Sequence, residues 1–380
     1  MQANMIGVYG PWAAALVDDQ PGAFSFRHEQ WHDVESWRKA ARQRVLERMA
    51  QPNTGGTPEV TVHRQYIYDN LTIEELSWQL PYGPRTQAVL LKPLNATGKL
   101  PGIVGLHCHG GLKFFGLEKI TRTSDKIHPL MVDHHNQYYG GVAWANELAK
   151  RGYVVLVHDA YAFASRRVRL ADVPEVIRKD VSDPDDADSA GIQAYNRWAG
   201  EHEHIMAKSL FSAGTTWPGV FLAEDQRALD VLCARAEVDP ERIGCCGLSG
   251  GGLRTVMLGG LDERIKCAVC VGMMTTWRDY LLNKSYTHTW MCYVPLLPNE
   301  LDYSEILGLR APRPTLVLND IHDQLFTMPE MERADAILRE VYAKAGASER
   351  YHASFYPGPH KFDLPMQAEA FPWFDRWLRS

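Results

Sequence analysis

The chain contains no run of eighteen or more apolar residues, which excludes a helix that spans a bilayer. It also lacks an excess of positive charge: 40 Lys and Arg stand against 46 Asp and Glu, a formal net charge of −6. A surface that holds nucleic-acid phosphates needs the opposite balance, so neither nucleic acid nor membrane is expected as a partner. Cysteine is scarce and odd in number. The seven (Cys108, Cys233, Cys245, Cys246, Cys267, Cys270 and Cys292) fall mostly in apolar, strand-like runs, which argues for reduced, buried thiols rather than a disulfide framework. Cys267-Ala-Val-Cys270 has redox spacing, but it lies in the β-like run Ile265–Val271 with no helix start behind it and reads as packing. The opening Met1-Gln-Ala-Asn-Met5 lacks the basic and apolar regions of a leader peptide, which favours a cytoplasmic protein; a secreted chain trimmed at its start would read the same. There is no internal repeat. Gly250-Gly-Gly252 is not followed by Lys-Ser/Thr, so it is no phosphate loop.

What is present is 380 residues, 45% of them hydrophobic, enough for a large core. Residues 1–24 show no periodicity and read as an irregular arm. Over 29–49, Val34, Trp37, Ala41, Val45 and Met49 recur every three to four positions, the pattern of an amphipathic helix. A Gly/Pro stretch ends it, and β-like runs at 59–68, 71–80 and 86–93 predict an antiparallel edge. From residue 102 strands and helices alternate: strands at 102–107, 153–157, 265–271, 314–318 and 351–356, helices at 142–150, 222–236, 330–344 and 368–378. That alternation predicts an α/β fold with a mostly parallel sheet covered on both faces. We expect an N-terminal arm and helix over 1–58 and one catalytic domain over 59–380. Insertions at about 112–141, 163–214 and 275–310 interrupt it at the C-terminal ends of strands, where they are placed to form a lid.

The most informative stretch is Arg242-Ile-Gly-Cys-Cys-Gly-Leu-Ser249-Gly-Gly-Gly-Leu-Arg254, which reads as strand, sharp turn and helix. Glycines two residues either side of Ser249 remove the side chains that a nucleophile elbow cannot accommodate. The helix behind it aims its first amides at the same spot, and that of Gly250 is placed to donate to an oxyanion. A hydroxyl needs a base to take its proton, and the base needs an orienting acid. Both follow in order: a loop with two carboxylates, Asp320-Ile-His-Asp323, after the strand at 314–318, and Pro357-Gly-Pro-His360 after the last strand. Upstream, His107-Cys-His109-Gly110-Gly111-Leu112 supplies glycines that let amides approach a ligand closely.

Taken together these motifs make the chain resemble the α/β-hydrolases of the dienelactone-hydrolase and acetyl xylan esterase-like branch over roughly residues 60–380. The carriers are the His109-Gly110-Gly111 turn, Asp225-Gln-Arg227-Ala-Leu-Asp230 leading into Val238-Asp-Pro-Glu-Arg242-Ile-Gly244, the Ser249 elbow, the Asp323 loop and His360. The resemblance implies that Ser249 is the nucleophile, His360 the base and Asp323 the acid, with Asp320 standing where relatives carry glycine. It also implies an oxyanion hole from the amides of Gly250 and of Gly111 or Leu112. The implied reaction is cleavage of a carboxylic ester with a short acyl group, on a small molecule or a saccharide, with no cofactor. Alternatives on the same scaffold are dienelactone-type hydrolysis, peptidase or amidase action, and ligand binding without catalysis. His109, Tyr139, Arg254, Trp277 and Trp290 are candidate substrate contacts. His107, His109, His134, His135 and His158 lack companion carboxylates or thiols at fixed spacing, so no metal site is assigned. Glu201-His-Glu203-His204 reads as a solvated helix start.

Overall fold

A computed structural model describes residues 3–17, 20–95 and 97–379; Met1 and Gln2, which begin the segment read for a leader, lie outside these. Three strands open the sheet: β1 (Val60–Tyr68), β2 (Leu71–Trp78) and β3 (Thr86–Pro93), paired antiparallel in register Tyr68 to Leu71 and Leu71 to Pro93. Six more follow: β4 (Leu100–Gly105), β5 (Val154–His158), β6 (Val238–Leu248), β7 (Ile265–Val271), β8 (Thr315–Asp320) and β9 (Tyr351–Tyr356). They complete one nine-stranded sheet in the order β1-β2-β3-β5-β4-β6-β7-β8-β9. β3 joins β5 antiparallel, and β5 through β9 run parallel. The chain leaves β4 toward β5 and leaves β6 toward β7, in opposite directions. The crevice between the C-terminal ends of β4 and β6 is therefore the switch point at which open α/β sheets bind ligands.

The central strands are buried and mainly apolar over the stretches Ile103–Gly105, Ile243–Leu248 and Cys267–Val271 because both faces are covered there. Alternate residues go to opposite sides: Val104, Cys245 and Ala268 pack with the helices Trp217–Cys233 and Gly250–Leu261, while Ile103, Cys246 and Val269 pack with Trp144–Lys150 and Leu364–Leu378. All seven cysteines are free thiols. Among the described residues no helix is long and apolar enough to cross a membrane.

The expected strands are present, with ends shifted by a few residues. The N-terminal helix starts later than expected, at Val34, because Asp33 caps it through the Ser36 amide. Its Trp37, Ala41, Val45 and Met49 join the main core, and Thr215 and Thr216 donate to the carbonyls of Ala50 and Met49. Helices also form in segments that the sequence reading left irregular, among them Gly10–Leu16 in the arm, Pro129–Tyr139 in the first insertion, Trp277–Leu282 and Tyr303–Gly308 in the third, and the 24-residue Ser189–Ser212 in the second. The last buries Ile192, Tyr195, Ala199, Glu203 and Ala207, a helical stripe interrupted by one carboxylate.

Candidate active site

Ser249 follows β6 with φ 59 and ψ −120, a conformation that costs a side-chain-bearing residue energy and is held by its surroundings. Its N–H donates to Val271 O at 2.9 Å and its carbonyl accepts from Leu253 N at 2.8 Å. A Cβ at Gly247 would come within 2.4 Å of Leu106 O, and one at Gly251 within 2.0 Å of the same oxygen. Any larger residue at either position would push the elbow off the sheet.

The turn after β9 brings His360 to the loop after β8, and His360 Nδ1 lies 2.6 Å from Asp323 Oδ2. The other oxygen of Asp323 accepts from the Leu325 amide at 2.9 Å. His360 Nε2 is buried, has no hydrogen-bond partner, and borders a cavity of about 200 Å³ on which Ser249 also lies. Gly272 (φ 55) completes the seat, since a Cβ there would sit 3.0 Å from His360 Cε1. Of the two carboxylates in the loop, Asp323 is thus the one on the imidazole. Asp320 Oδ2 accepts from the Lys361 amide at 3.0 Å, and burial pushes its carboxyl up to about 7.

The amide of Gly250 lies in the first helical turn, where an N–H has no intrahelical acceptor. Gly250 is pressed against the His109 backbone: a Cβ there would meet His109 N at 2.9 Å. The facing turn uses its own amides. Gly111 N–H donates to His109 Nδ1 at 3.0 Å and Leu112 N–H to His109 O at 3.3 Å. Gly111 borders the cavity; Leu112 does not, and its side chain packs with the Phe114 cluster. Both amides expected as the second half of an oxyanion hole, those of Gly111 and Leu112, thus donate inside the turn, and of the two residues Gly111 alone borders the cavity.

His109 borders the cavity, held by a network the sequence reading missed. Its Nε2 lies 2.8 Å from Glu203 Oε1, and because Nδ1 accepts from Gly111, Nε2 carries the proton and donates. Lys113 Nζ pairs off-axis with the same carboxylate at 2.6 Å. Lys119 Nζ donates to Cys108 O at 3.1 Å and His109 O at 2.8 Å, and burial brings this amine down to about 8. Glu203, read as part of a solvated helix start, is buried in the middle of its helix. Its place on the apolar stripe of Ser189–Ser212 was the available signal.

Four candidate substrate contacts are corrected. Tyr139 is buried in the layer beneath the sheet; its neighbour Tyr138 borders the cavity, with its ring 6.3 Å from that of His360. Arg254 is buried and donates through Nε and Nη2 to Asp225, with His158 beside it, so it ties the elbow helix to Trp217–Cys233. Trp277 is buried and donates to Leu301 O at 3.0 Å. Trp290 is 42% exposed and points away, whereas its neighbours Thr289 and Met291 wall the cavity. The third insertion thus roofs the serine with different side chains from those expected. Among the described residues one group, Asp320, Asp323 and His360, places ligand atoms within 4.8 Å of one another, close enough to share a cation. Two of its atoms, Asp323 Oδ2 and His360 Nδ1, are already bonded to each other.

Residues 214–349 match the model of the prolyl oligopeptidase family. The chain is 27% identical over 309 residues to YtaP of Bacillus subtilis (strain 168), a protein provisionally named a hydrolase, covering 80% of this chain and 88% of YtaP. Among solved structures, one from Bacteroides fragilis, provisionally named an acetyl xylan esterase, superposes with a TM-score of 0.67 at 18% identity, over 93% of this chain and 83% of that one. A glucuronoyl esterase from Solibacter usitatus does so with a TM-score of 0.60 at 15% identity, over 94% and 97%. At these identities the likeness is one of fold, and the fold of this chain is that of the α/β-hydrolases.

Proposed function

We propose that the chain is a serine hydrolase that cleaves carboxylic esters, with Ser249, His360 and Asp323 as its triad. One observation carries this reading: His360 has one ring nitrogen on a buried carboxylate and the other bare, at a cavity that also holds a strained, glycine-flanked serine. In that arrangement His360 Nε2 takes the proton as Ser249 Oγ attacks the acyl carbon, and Asp323 stabilises the imidazolium that forms. The Gly250 amide receives the developing oxyanion. The imidazolium then protonates the departing alcohol, and a water activated by the same histidine releases the acyl group from Ser249.

The cavity of about 200 Å³ is below the range typical of pockets for drug-sized ligands and is walled by Tyr138, Leu253, Met273, Met291 and Leu325. This supports a short, apolar acyl group with the alcohol left outside, and the superposed Bacteroides fragilis structure, by its name an acetyl xylan esterase, supports a saccharide as that alcohol. The prolyl oligopeptidase match favours a second reading, amide cleavage by the same triad. Paired p-nitrophenyl acetate and p-nitroanilide substrates separate the two: faster turnover of the ester is expected. A fluorophosphonate probe should label wild type at Ser249 and leave Ser249→Ala unlabelled. Ester hydrolysis that survives in Ser249→Ala would sink the proposal.

A further inference from the structure

The first and second insertions meet beside β3 and β5 and form a second cleft, of about 690 Å³, that shares no lining residue with the cavity at Ser249. Five cationic side chains line it (Arg85, Arg122, Lys126, Arg167 and Arg169) against three acidic ones, Glu118, Asp159 and Asp186. This excess of two positive charges stands in a chain whose net charge is −6.

These cations are poorly matched by the protein itself. Among arginines buried elsewhere, Arg166 pairs with Glu224 and Arg254 with Asp225, while Arg310 is met by the carbonyls of Gly259 and Ile265 and by Thr315 Oγ1. In the cleft, Arg85, Lys126, Arg167 and Arg169 form no ion pair among the described residues, and Arg122 reaches only the exposed Asp125, at 3.4 Å. Arg85 donates to neutral oxygens, Ser77 Oγ and Thr61 Oγ1, both at 3.1 Å. Arg167 donates through Nη1 to Ala164 O at 3.1 Å and lies 4.4 Å over the Phe114 ring, while its buried Nε finds no acceptor. Asp159 is a weak counter-charge. Its two oxygens accept from the amides of Leu117 and Ser165, at 2.9 and 3.1 Å, and burial raises its carboxyl to about 7. Ala164, on the cleft wall, is held at φ 44, the kind of strain that gathers at ligand clamps.

Concentrated like charge in a concave site draws a counter-ion of matching valence. Forked guanidinium groups suit an oxyanion with several acceptors, and the apolar Phe115, Ile127 and Met131 offer a bed for an organic body. We propose that this cleft binds an organic phosphate monoester, its dianion among Arg85, Arg167 and Arg169 and its small ring or chain against Phe115, Ile127 and Met131.

The test is calorimetric titration of the full chain with phenyl phosphate at low salt. Saturable binding is expected, weakened by added NaCl, with none for benzyl alcohol. A charge-assisted hydrogen bond contributes about 1.5–3 kcal/mol, so Arg167→Gln should weaken binding at least about tenfold. The exposed Arg169→Gln gives an independent reading should Arg167→Gln fail to fold, and is expected to weaken binding in the same direction. Unchanged hydrolysis of p-nitrophenyl acetate in both variants verifies the fold. No saturable heat in wild type, equal binding of benzyl alcohol, or equal affinity in the folded variants would overturn the proposal.

Discussion

Of the three histidines that border the cavity at Ser249, His109 and His360 each stand beside a buried carboxylate, and their difference lies in what the second ring nitrogen does. His360 gives Nδ1 to Asp323 and leaves Nε2 bare. His109 gives Nε2 to Glu203 and commits Nδ1 to the Gly111 amide. An imidazole with one free nitrogen can carry a proton between partners; one with both engaged can only hold a shape. The same residue pair thus leaves a nitrogen open to acid–base chemistry on one side of the serine, the role proposed above, and fixes a glycine turn on the other. The charge surroundings agree, since Lys113 adds a cation to the Glu203 side.

The sharpest way to break this comparison is to remove each partner in turn. His360→Ala is expected to lower kcat by about 10⁴ to 10⁶ and Asp323→Asn by about 10⁴, because the latter leaves the imidazole in the wrong tautomer. Glu203→Gln should cost less, no more than about 10² in kcat with KM nearly unchanged, the range for disturbing an oxyanion donor rather than the base. Losses of equal size in Asp323→Asn and Glu203→Gln would dissolve the distinction. The stability ranking should differ: Glu203→Gln strands the buried Lys113 ammonium and is expected to destabilise by about 3–5 kcal/mol in urea melts.

Asp320 sharpens the comparison through pH. Its carboxyl is raised to about 7 by burial, above an unfolded value of about 4. A raised carboxyl binds its proton more tightly when folded, so its contribution is complete below about pH 4 and is lost as pH rises through about 7. Asp320→Asn should flatten that fall, with its urea midpoint gaining on wild type between pH 5 and pH 8. A parallel pair of curves would show that Asp320 is not the titrating group. The smallest effect is expected at Trp290→Ala, within about 0.5 kcal/mol in stability and with little change in kcat, since that ring faces solvent.

Much of the framework was legible because it is encoded by neighbours in the chain. A run such as Cys267–Val271 is apolar at every second and every intervening position because both faces are buried, and glycines around Ser249 mark a turn that no other residue can make. The chain order of Ser249, Asp323 and His360 could be read because each follows a strand. Other features could not be read this way. In the helix Pro129–Tyr139 successive side chains are turned by about 100°. Tyr138 therefore reaches the cavity while Tyr139 goes to the core, and only the packing of that helix selects between them. Trp277 and Trp290 are equally plausible lid residues in a sequence, yet one is core and the other surface.

By itself the sequence determined the alternation of strands and helices, the strained serine and the two loops that carry its candidate partners, because backbone turns and burial patterns are local properties of residue type. Tertiary structure alone decided that Glu203, from an insertion 94 residues after His109, meets that histidine, and that four cations of two insertions share one cleft in which cations outnumber carboxylates. Those juxtapositions depend on how distant segments fold back over the sheet, and no spacing along the chain records that.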